Sequence, residues 1–270
     1  MTQDAEQVDT TAAQAYEQFM LPRTFGPWIE ATVALADLQP GEQVLDVACG
    51  SGMATRLAAE RVGATGRAVG LDLDPGMIAV ARAHASTPHS APLEWRCESA
   101  LKMSFEDDFF DRVFCFHGLQ FFPDRVAGLA EMRRVMKPTG RFLATVWRSI
   151  DYCAGPHALA TALTRRGIDA SAAHRPYALG DADELQGLLR QAGFQQIEVQ
   201  AKSIDVHFPS ARNFIESLAA GAPSTRLALA QVSPDDQAGL IEEVSDLLEP
   251  HITEEGLSYP TECYLLMGHF

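Results

Sequence analysis

Two carboxylates and two glycines have a spacing that could hold a hydroxylated ligand. Asp46 lies inside VLDVACGSG at 44–52, four residues before Gly50, and Asp72 follows the loop by about 20 residues. Gly50 and Gly52 let the backbone turn tightly with no side chain between it and a ligand. A carboxylate at the distance of Asp72 can accept hydrogen bonds from both hydroxyls of a ribose. Asp74 competes for that role, but its position suits the cap of a helix that opens at Pro75. His117, in a turn after the apolar run that ends in Phe116, stands where a histidine either lines a site or fills a core.

These residues need elements that bring them to one place. Gln43–Val47 reads as a short buried strand leading into the glycine loop, and a helix over Met53–Arg61 turns Leu57 and Ala58 inward. Further strands are expected at Arg67–Asp72, Leu93–Arg96, Phe110–His117 and Gly140–Arg148, the last entered through a Pro138, Thr139, Gly140 turn. Strands alternating with helical stretches imply parallel pairing with helices on both faces, a doubly wound α/β sheet. Asp46 and Asp72 then stand at the carboxyl ends of adjacent strands, where such sheets bind ligands.

Ahead of this core, a polar stretch of about ten residues, expected to fray, gives way to a helix from Thr11 that ends before Pro22, and a second helix covers Trp28–Leu38. Behind it, Asp181 with Glu184 forms a capping box, Leu185, Leu188, Leu189 and Ala192 follow helical spacing, and Gly193 stops the helix. Gln196–Phe208 reads as a long strand, Leu240–Leu248 as an amphipathic helix ended by Pro250, and Tyr264, Leu266 and Met267 as part of a terminal strand. No internal repeat or low-complexity segment interrupts this order.

With VLDVACGSG at 44–52, GLDLDPGMIAVAR at 70–82, FEDDFFDRVFCFHGLQFFPD at 105–124 and EMRRVMKPTGRFLATVW at 131–147 in this order, the chain resembles the class I S-adenosylmethionine-dependent methyltransferases. It is similar to the small-molecule branch that includes the ubiquinone and menaquinone methyltransferases. The motifs cover about the first 150 residues; the remaining third matches only loosely.

The resemblance implies a Rossmann-like, mostly parallel seven-stranded sheet with an antiparallel edge hairpin and a helical cap inserted between about Asn213 and Leu248. Residues 1–42 would then form a leader over the site, 43–150 the cofactor-binding core and 151–270 the edge strands and cap, all one domain. S-adenosyl-L-methionine would be the cofactor, with Asp72 on the ribose, Met77 beside the adenine, and Gly50 and Gly52 against the methionine and ribose parts. Asp46 would orient the loop or take the methionine amino group through water, and carbonyls of the Cys115–Leu119 turn would face that same amino group. Where the family has Gly-Asp-Ala, this chain has Glu98, Ser99 and Ala100, so either Ser99 or Glu98 would meet the adenine amino group. His117 is the first candidate for a general base, if the nucleophile arrives protonated; His157, His174 and His207 are less anchored ones. Tyr16, Phe19, Phe25, Trp28, Gln120, Phe121 and Trp147 would shape the pocket of a small hydrophobic or aromatic acceptor.

Composition narrows the partners. With 36 Asp and Glu against 21 Lys and Arg the formal net charge is −15, which disfavours nucleic acid and anionic lipid. Arg133, Arg134 and Lys137 are the nearest to a basic patch, and their helical spacing fits a solvated face. Five cysteines without a CxxC pair argue against disulfides and a zinc site. The N-terminus carries Asp4, Glu6 and Asp9 where a targeting segment would be basic, and no run approaches the roughly 20 apolar residues that span a bilayer, so a cytoplasmic enzyme is expected. Nothing in the sequence sets an oligomeric state.

Two other functions share parts of this pattern. A nicotinamide-dependent oxidoreductase has the same strand, glycine turn and helix, but needs Gly or Ala three residues after the second glycine, where Thr55 stands here. A non-catalytic binding protein on a methyltransferase fold would not need the intact loop and Asp72.

Overall fold

The computed structural model describes residues 8–269; Asp4, Glu6 and the rest of residues 1–7 lie outside the described residues. Helix α1 (Thr11–Ala15) runs directly into a π-helix over Tyr16–Phe25 and then α2 (Gly26–Leu35). The break expected before Pro22 does not occur: Pro22 lies inside the π-helix. Proline removes one main-chain donor and crowds the carbonyl four residues back in an ordinary α-helix. The wider i→i+5 turn, frequent at functional sites, carries the chain through it.

The strands then follow in the expected order. β1 (Gln43–Val47) leads through the glycine loop to α3 (Met53–Val62), and β2 (Arg67–Asp72) to α4 (Pro75–Ala83). β3 (Leu93–Cys97) and β4 (Phe110–Phe116) come next, then α5 (Arg125–Val135) and β5 (Met136–Trp147). Asp74 caps α4 by accepting the Gly76 N–H at 2.7 Å, as its position predicts. β5 begins earlier than expected, because Met136 already pairs with Phe110. Arg141 pairs with Arg112, so Lys137–Gly140 bulge from the ladder where the sequence predicts a turn.

Alternate residues of each strand go to opposite faces. Val44, Ala68, Phe114 and Leu143 pack with residues of α2 and α3. Leu45, Val69, Val113 and Phe142 pack on the other face with Leu129 and Met132 of α5 and with Leu185 and Leu189 further along the chain. Phe110, Phe114, Phe142, Leu45 and Leu71 are fully buried, each contributing about 1.5–3 kcal/mol.

After β5 come α6 (Ala154–Arg165), α7 (Ser171–His174) and α8 (Ala182–Gln191), where Asp181 accepts the Glu184 N–H at 2.8 Å. β6 (Gln195–Phe208) is followed by α9 (Ala211–Gly221), α10 (Pro223–Leu229), α11 (Gln237–Leu247), a two-residue β7 (Ile252–Thr253) and β8 (Gly256–His269). The sheet order is β3-β2-β1-β4-β5-β8-β6, with β7 hairpinned onto β8 as a short eighth strand. β1 to β5 pair in parallel; β8 runs antiparallel between β5 and β6. Helices α9–α11 build a second core with Phe208, Tyr259 and α6, in which Phe214 and Leu218 meet Met20 of the π-helix.

Because the chain passes outward from β1 to β2 and β3 and then returns to β4, the carboxyl ends of β1 and β4 form the point where strand order reverses. The basic cluster is taken up by internal pairing. Arg134 binds Glu131 and Asp107, and Lys137 binds Asp111 at 2.9 Å. Among the described residues, no helix is long and apolar enough to cross a membrane.

Candidate active site

The loop after β1 turns through left-handed conformations at Ala48 (φ 59°), Gly50 (φ 54°) and Gly52 (φ 84°). Its two glycines have different causes. A Cβ on Gly52 would lie 2.2 Å from the ring of Trp95, which also lies against Gly70, where a Cβ would come within 2.4 Å. Gly52 is therefore bare for packing as well as for its turn. At Gly50 the nearest neighbour of an added Cβ is the Tyr16 ring at 3.7 Å. Gly50 is the glycine that faces the crevice.

Asp72 is tied to that loop. Its Oδ2 accepts the Gly50 N–H at 2.8 Å and its Oδ1 the Asp74 N–H at 2.9 Å. Each carboxylate oxygen keeps a second lone pair for a ligand hydroxyl. Burial raises the Asp72 carboxyl above the usual carboxylate range, against the main-chain donors. Leu73, next in the chain, is 72% exposed; an apolar side chain in the open beside Asp72 suits a flat heterocycle. The motif GLDLD carries that signal, an apolar residue directly after the strand-end carboxylate, although sequence reasoning passed over it.

Asp46 is 1% exposed, and its Oδ2 accepts the Thr55 hydroxyl at 2.7 Å. Burial pushes its carboxyl up to about 7. Of the two roles open in the sequence, this bond supports the first, holding the loop onto α3. Thr55 itself is fully buried where a dinucleotide fingerprint would need Gly or Ala. Glu98 is committed elsewhere, since its carboxylate accepts both the Ser104 hydroxyl at 2.8 Å and the Ser104 N–H at 3.1 Å. Ser99 Oγ accepts the Leu101 N–H at 3.2 Å and keeps its own proton to donate. Ala100 packs on the edge of the core and Met77 is half-buried in the first turn of α4. The Cys115 thiol points into the α5-side core, where burial raises it to about 12, so only its main chain can face the crevice.

His117 sits just past β4 in a left-handed conformation, φ 54°, which is uncommon for any residue but glycine. Its N–H donates to the Thr145 carbonyl at 2.9 Å. The imidazole is 6% exposed, and neither ring nitrogen has a hydrogen-bond partner among the described residues. Burial alone holds its pKa down at about 3. Around it stand the aromatics of leader and sheet: Trp147 stacks at 4.3 Å between centroids, Phe25 lies edge-on at 5.3 Å and Trp28 at 6.4 Å. Tyr16 is 5.3 Å from Phe25, and Tyr177 6.1 Å from Trp147. These contacts make an aromatic cluster, and Tyr16 brings it beside the glycine loop at Gly50.

Not every expected residue joins it. Trp28 is anchored, its indole N–H donating to Thr261 Oγ1 at 3.0 Å. Gln120 is 4% exposed with its amide unpartnered, whereas Phe121 is 45% exposed on the surface. Phe19 is half-buried on the π-helix without a ring contact to the cluster. Tyr177, whose ring lies near Trp147, belongs to no sequence motif, and Thr145 lies within EMRRVMKPTGRFLATVW without a role that the motif assigns. The leader is held down by Glu17, whose carboxylate meets His84 Nε2 at 3.0 Å and Arg56 at 3.6 Å; Arg56 also donates to the Ser51 carbonyl at 2.7 Å. Burial first, then the charges of Glu17, Asp72 and Asp46, raise the Tyr16 phenol above its ordinary value.

The sequence of this same core matches a family model described as a methyltransferase domain, over residues 45–144. Residues 45–144 are a methyltransferase domain. Its sheet order and glycine loop are those of the class I S-adenosylmethionine-dependent methyltransferases. The demethylmenaquinone methyltransferase of Bacillus cereus (strain B4264) is 37% identical over 116 residues, 43% of this chain and 49% of that one. That of Bacillus anthracis (strain CDC 684 / NRRL 3495) is 35% identical over the same length and shares. The chain thus spans about half the length of the curated relatives it matches. Among solved structures, YcgJ of Bacillus subtilis superposes with a TM-score of 0.59 at 16% identity, over 90% of this chain and 97% of that one. Haemonchus contortus phosphoethanolamine N-methyltransferase 2, in complex with S-adenosyl-L-methionine, gives 0.59 at 21% identity, over 98% of this chain and 58% of that one. At those identities the likeness concerns the fold. The match to the family model ends within β5; Trp147 and Tyr177 lie beyond it and Phe25 and Trp28 before it. The aromatic cluster is built largely from residues outside the match.

Proposed function

We propose that this chain transfers a methyl group from S-adenosylmethionine to a small hydrophobic or aromatic metabolite. The observation that carries the reading is the junction of two unlike compartments. A carboxylate bonded to the glycine loop, Asp72 with Gly50, lies on one side of Tyr16, and an aromatic cluster centred on His117 on the other. The residues present fit the cofactor: Asp72 would hold the ribose hydroxyls, Leu73 would cover the purine, Ser99 would meet its edge and main-chain groups after β4 would face the methionine end. When bound, S-adenosylmethionine supplies a methyl group on a positively charged sulfur.

In-line attack on that methyl releases a neutral thioether, so alignment and exclusion of water are what the chain must contribute. Aligned intramolecular reactions reach effective molarities of roughly 10⁵ M or more. Tyr16, Phe25 and Trp147 supply walls that exclude water. His117, held neutral by burial, orients an acceptor hydroxyl by accepting its hydrogen bond. The leader and cap close the acceptor side, and the C-terminal third completes the same domain through β6 and β8.

The reading is tested by incubating the chain with S-adenosylmethionine carrying a tritiated methyl group and a panel of phenols, quinols and aromatic amines. Enzyme-dependent label in an organic extract, abolished by excess S-adenosylhomocysteine, is the expected result. Trp147→Ala should lower the acceptor-dependent rate by about tenfold or more by removing the ring stacked on His117. Label transfer unaffected by Trp147→Ala would remove the cluster from the reaction.

A further inference from the structure

We propose that Gln120 and Thr145 select the acceptor by hydrogen-bonding an uncharged hydroxyl or carbonyl oxygen carried on a flat ring. The inference rests on the reading of the aromatic cluster as the acceptor site of a methyltransferase. Gln120 is 4% and Thr145 1% exposed, and neither the Gln120 amide oxygen and nitrogen nor the Thr145 hydroxyl has a hydrogen-bond partner among the described residues. Buried polar groups in folded proteins are nearly always paired. A cluster of unpaired ones in neighbouring positions is a binding surface in waiting, because apolar residues of the same shape would be more stable there.

Both residues belong to segments that carry the aromatic cluster. Thr145 precedes Trp147 by two positions on β5 and so shares its face of the sheet, and its carbonyl receives the His117 N–H at 2.9 Å. Gln120 lies in the single turn Leu119–Phe121 that follows His117 and packs against the turn Arg175–Tyr177. The Tyr177 ring in turn lies 6.1 Å from Trp147. His117 adds two further unpaired nitrogens between them.

The chemistry of this set is uniform: amide, hydroxyl and imidazole are all uncharged, and the surrounding rings bring no counter-ion. A carboxylate or phosphate entering here would lose its hydration without gaining an opposite charge. An ammonium would find ring faces, but none of these groups carries a negative charge to pair with it. A hydroxyl or carbonyl is matched by a donor and an acceptor on Gln120 and by a hydroxyl that can serve as either. Stacking on the Trp147–His117 pair, whose planes lie 26° apart, favours a flat ring as its carrier.

The test uses four probes of one shape, 2-naphthol, naphthalene, 2-naphthoate and 2-(aminomethyl)naphthalene. Binding is followed by quenching of tryptophan fluorescence with S-adenosylhomocysteine at saturation, for the wild-type chain, Gln120→Leu and Thr145→Val. In the wild type, 2-naphthol should bind about five- to tenfold tighter than naphthalene and tighter than either charged probe. Each variant should lose most of that advantage while naphthalene binds as before or better. Neither variant should melt below the wild type, since no internal hydrogen bond is removed. The proposal is overturned if 2-naphthol shows no saturable binding, if its advantage survives both substitutions, if a charged probe binds more tightly, or if both variants melt several degrees lower. Titration of the wild type with S-adenosylhomocysteine alone separates the two readings. Without that binding the methyltransferase reading fails; with it, and no preference for naphthol, only the present proposal does.

Discussion

Gly52→Ala should destabilise the chain by about 2–5 kcal/mol, the larger of the two substitution effects expected at the glycine loop. A left-handed conformation costs a residue with a Cβ about 1–2 kcal/mol, and Gly52 has φ 84°. The new methyl would also fall 2.2 Å from the Trp95 ring and 3.2 Å from the Ala81 Cβ, and overpacking of that kind costs about 1–3 kcal/mol. Gly50→Ala carries the same conformational term without the clash. Urea denaturation should therefore rank Gly52→Ala well below Gly50→Ala, and Trp95→Leu added to Gly52→Ala should recover part of the loss. Equal midpoints for the two alanine variants would show that Trp95 does not hold the loop.

Stability against pH gives the second large effect, because two buried groups pull in opposite directions. His117 titrates at about 3 in the folded chain against an ordinary 6.5. Between those values the unfolded chain binds the extra proton, so this group makes stability rise with pH by about 1.4 kcal/mol per unit. Asp46 titrates at about 7 against an ordinary 3.8. Between those values the folded chain binds the extra proton, so this group makes stability fall with rising pH at the same rate. In the wild type the two slopes largely cancel over the shared window. His117→Phe leaves the Asp46 slope, and its stability should fall from about pH 4 to about pH 7. Asp46→Asn keeps an acceptor for Thr55 and leaves the His117 slope, so its stability should rise from about pH 3 to about pH 6.5. All other titrating groups are common to both variants, and the two curves should diverge by about 3 kcal/mol per unit. Parallel curves would mean that these groups do not titrate as buried ones.

The glycine-loop half of the candidate site was legible because its causes are local. A strand, a glycine loop and a carboxylate at a set distance occur in order along the chain, so the positions of Asp46, Gly50 and Asp72 at the strand ends and the cap at Asp74 could be placed from spacing. Gly52 looked like a ligand-facing glycine because sequence does not show that Trp95, more than forty residues away, would lie against it. The π-helix through Pro22 was missed for a related reason: proline argues for a break in an α-helix, and only the packing of the leader on α9 and the glycine loop selects the wider turn. The acceptor half draws on β4, β5, the leader and the turn at Tyr177, residues far apart in sequence. Phe121 and Gln120 are neighbours with the same claim from the sequence. One faces solvent and the other the interior, a difference set by the single turn Leu119–Phe121.

Calorimetric titration with S-adenosylhomocysteine, run on the wild-type chain and on Asp72→Ala, tests the central claim most directly. On the proposed ribose role, removal of the Asp72 carboxylate deletes charge-assisted hydrogen bonds to the ribose, together with those it accepts from Gly50 and Asp74 at the loop. One site per wild-type chain is predicted, weakened in Asp72→Ala by about 1–3 kcal/mol, or roughly 5- to 150-fold. No heat of binding to the wild type at millimolar ligand, or equal affinity in the two proteins, would contradict the account.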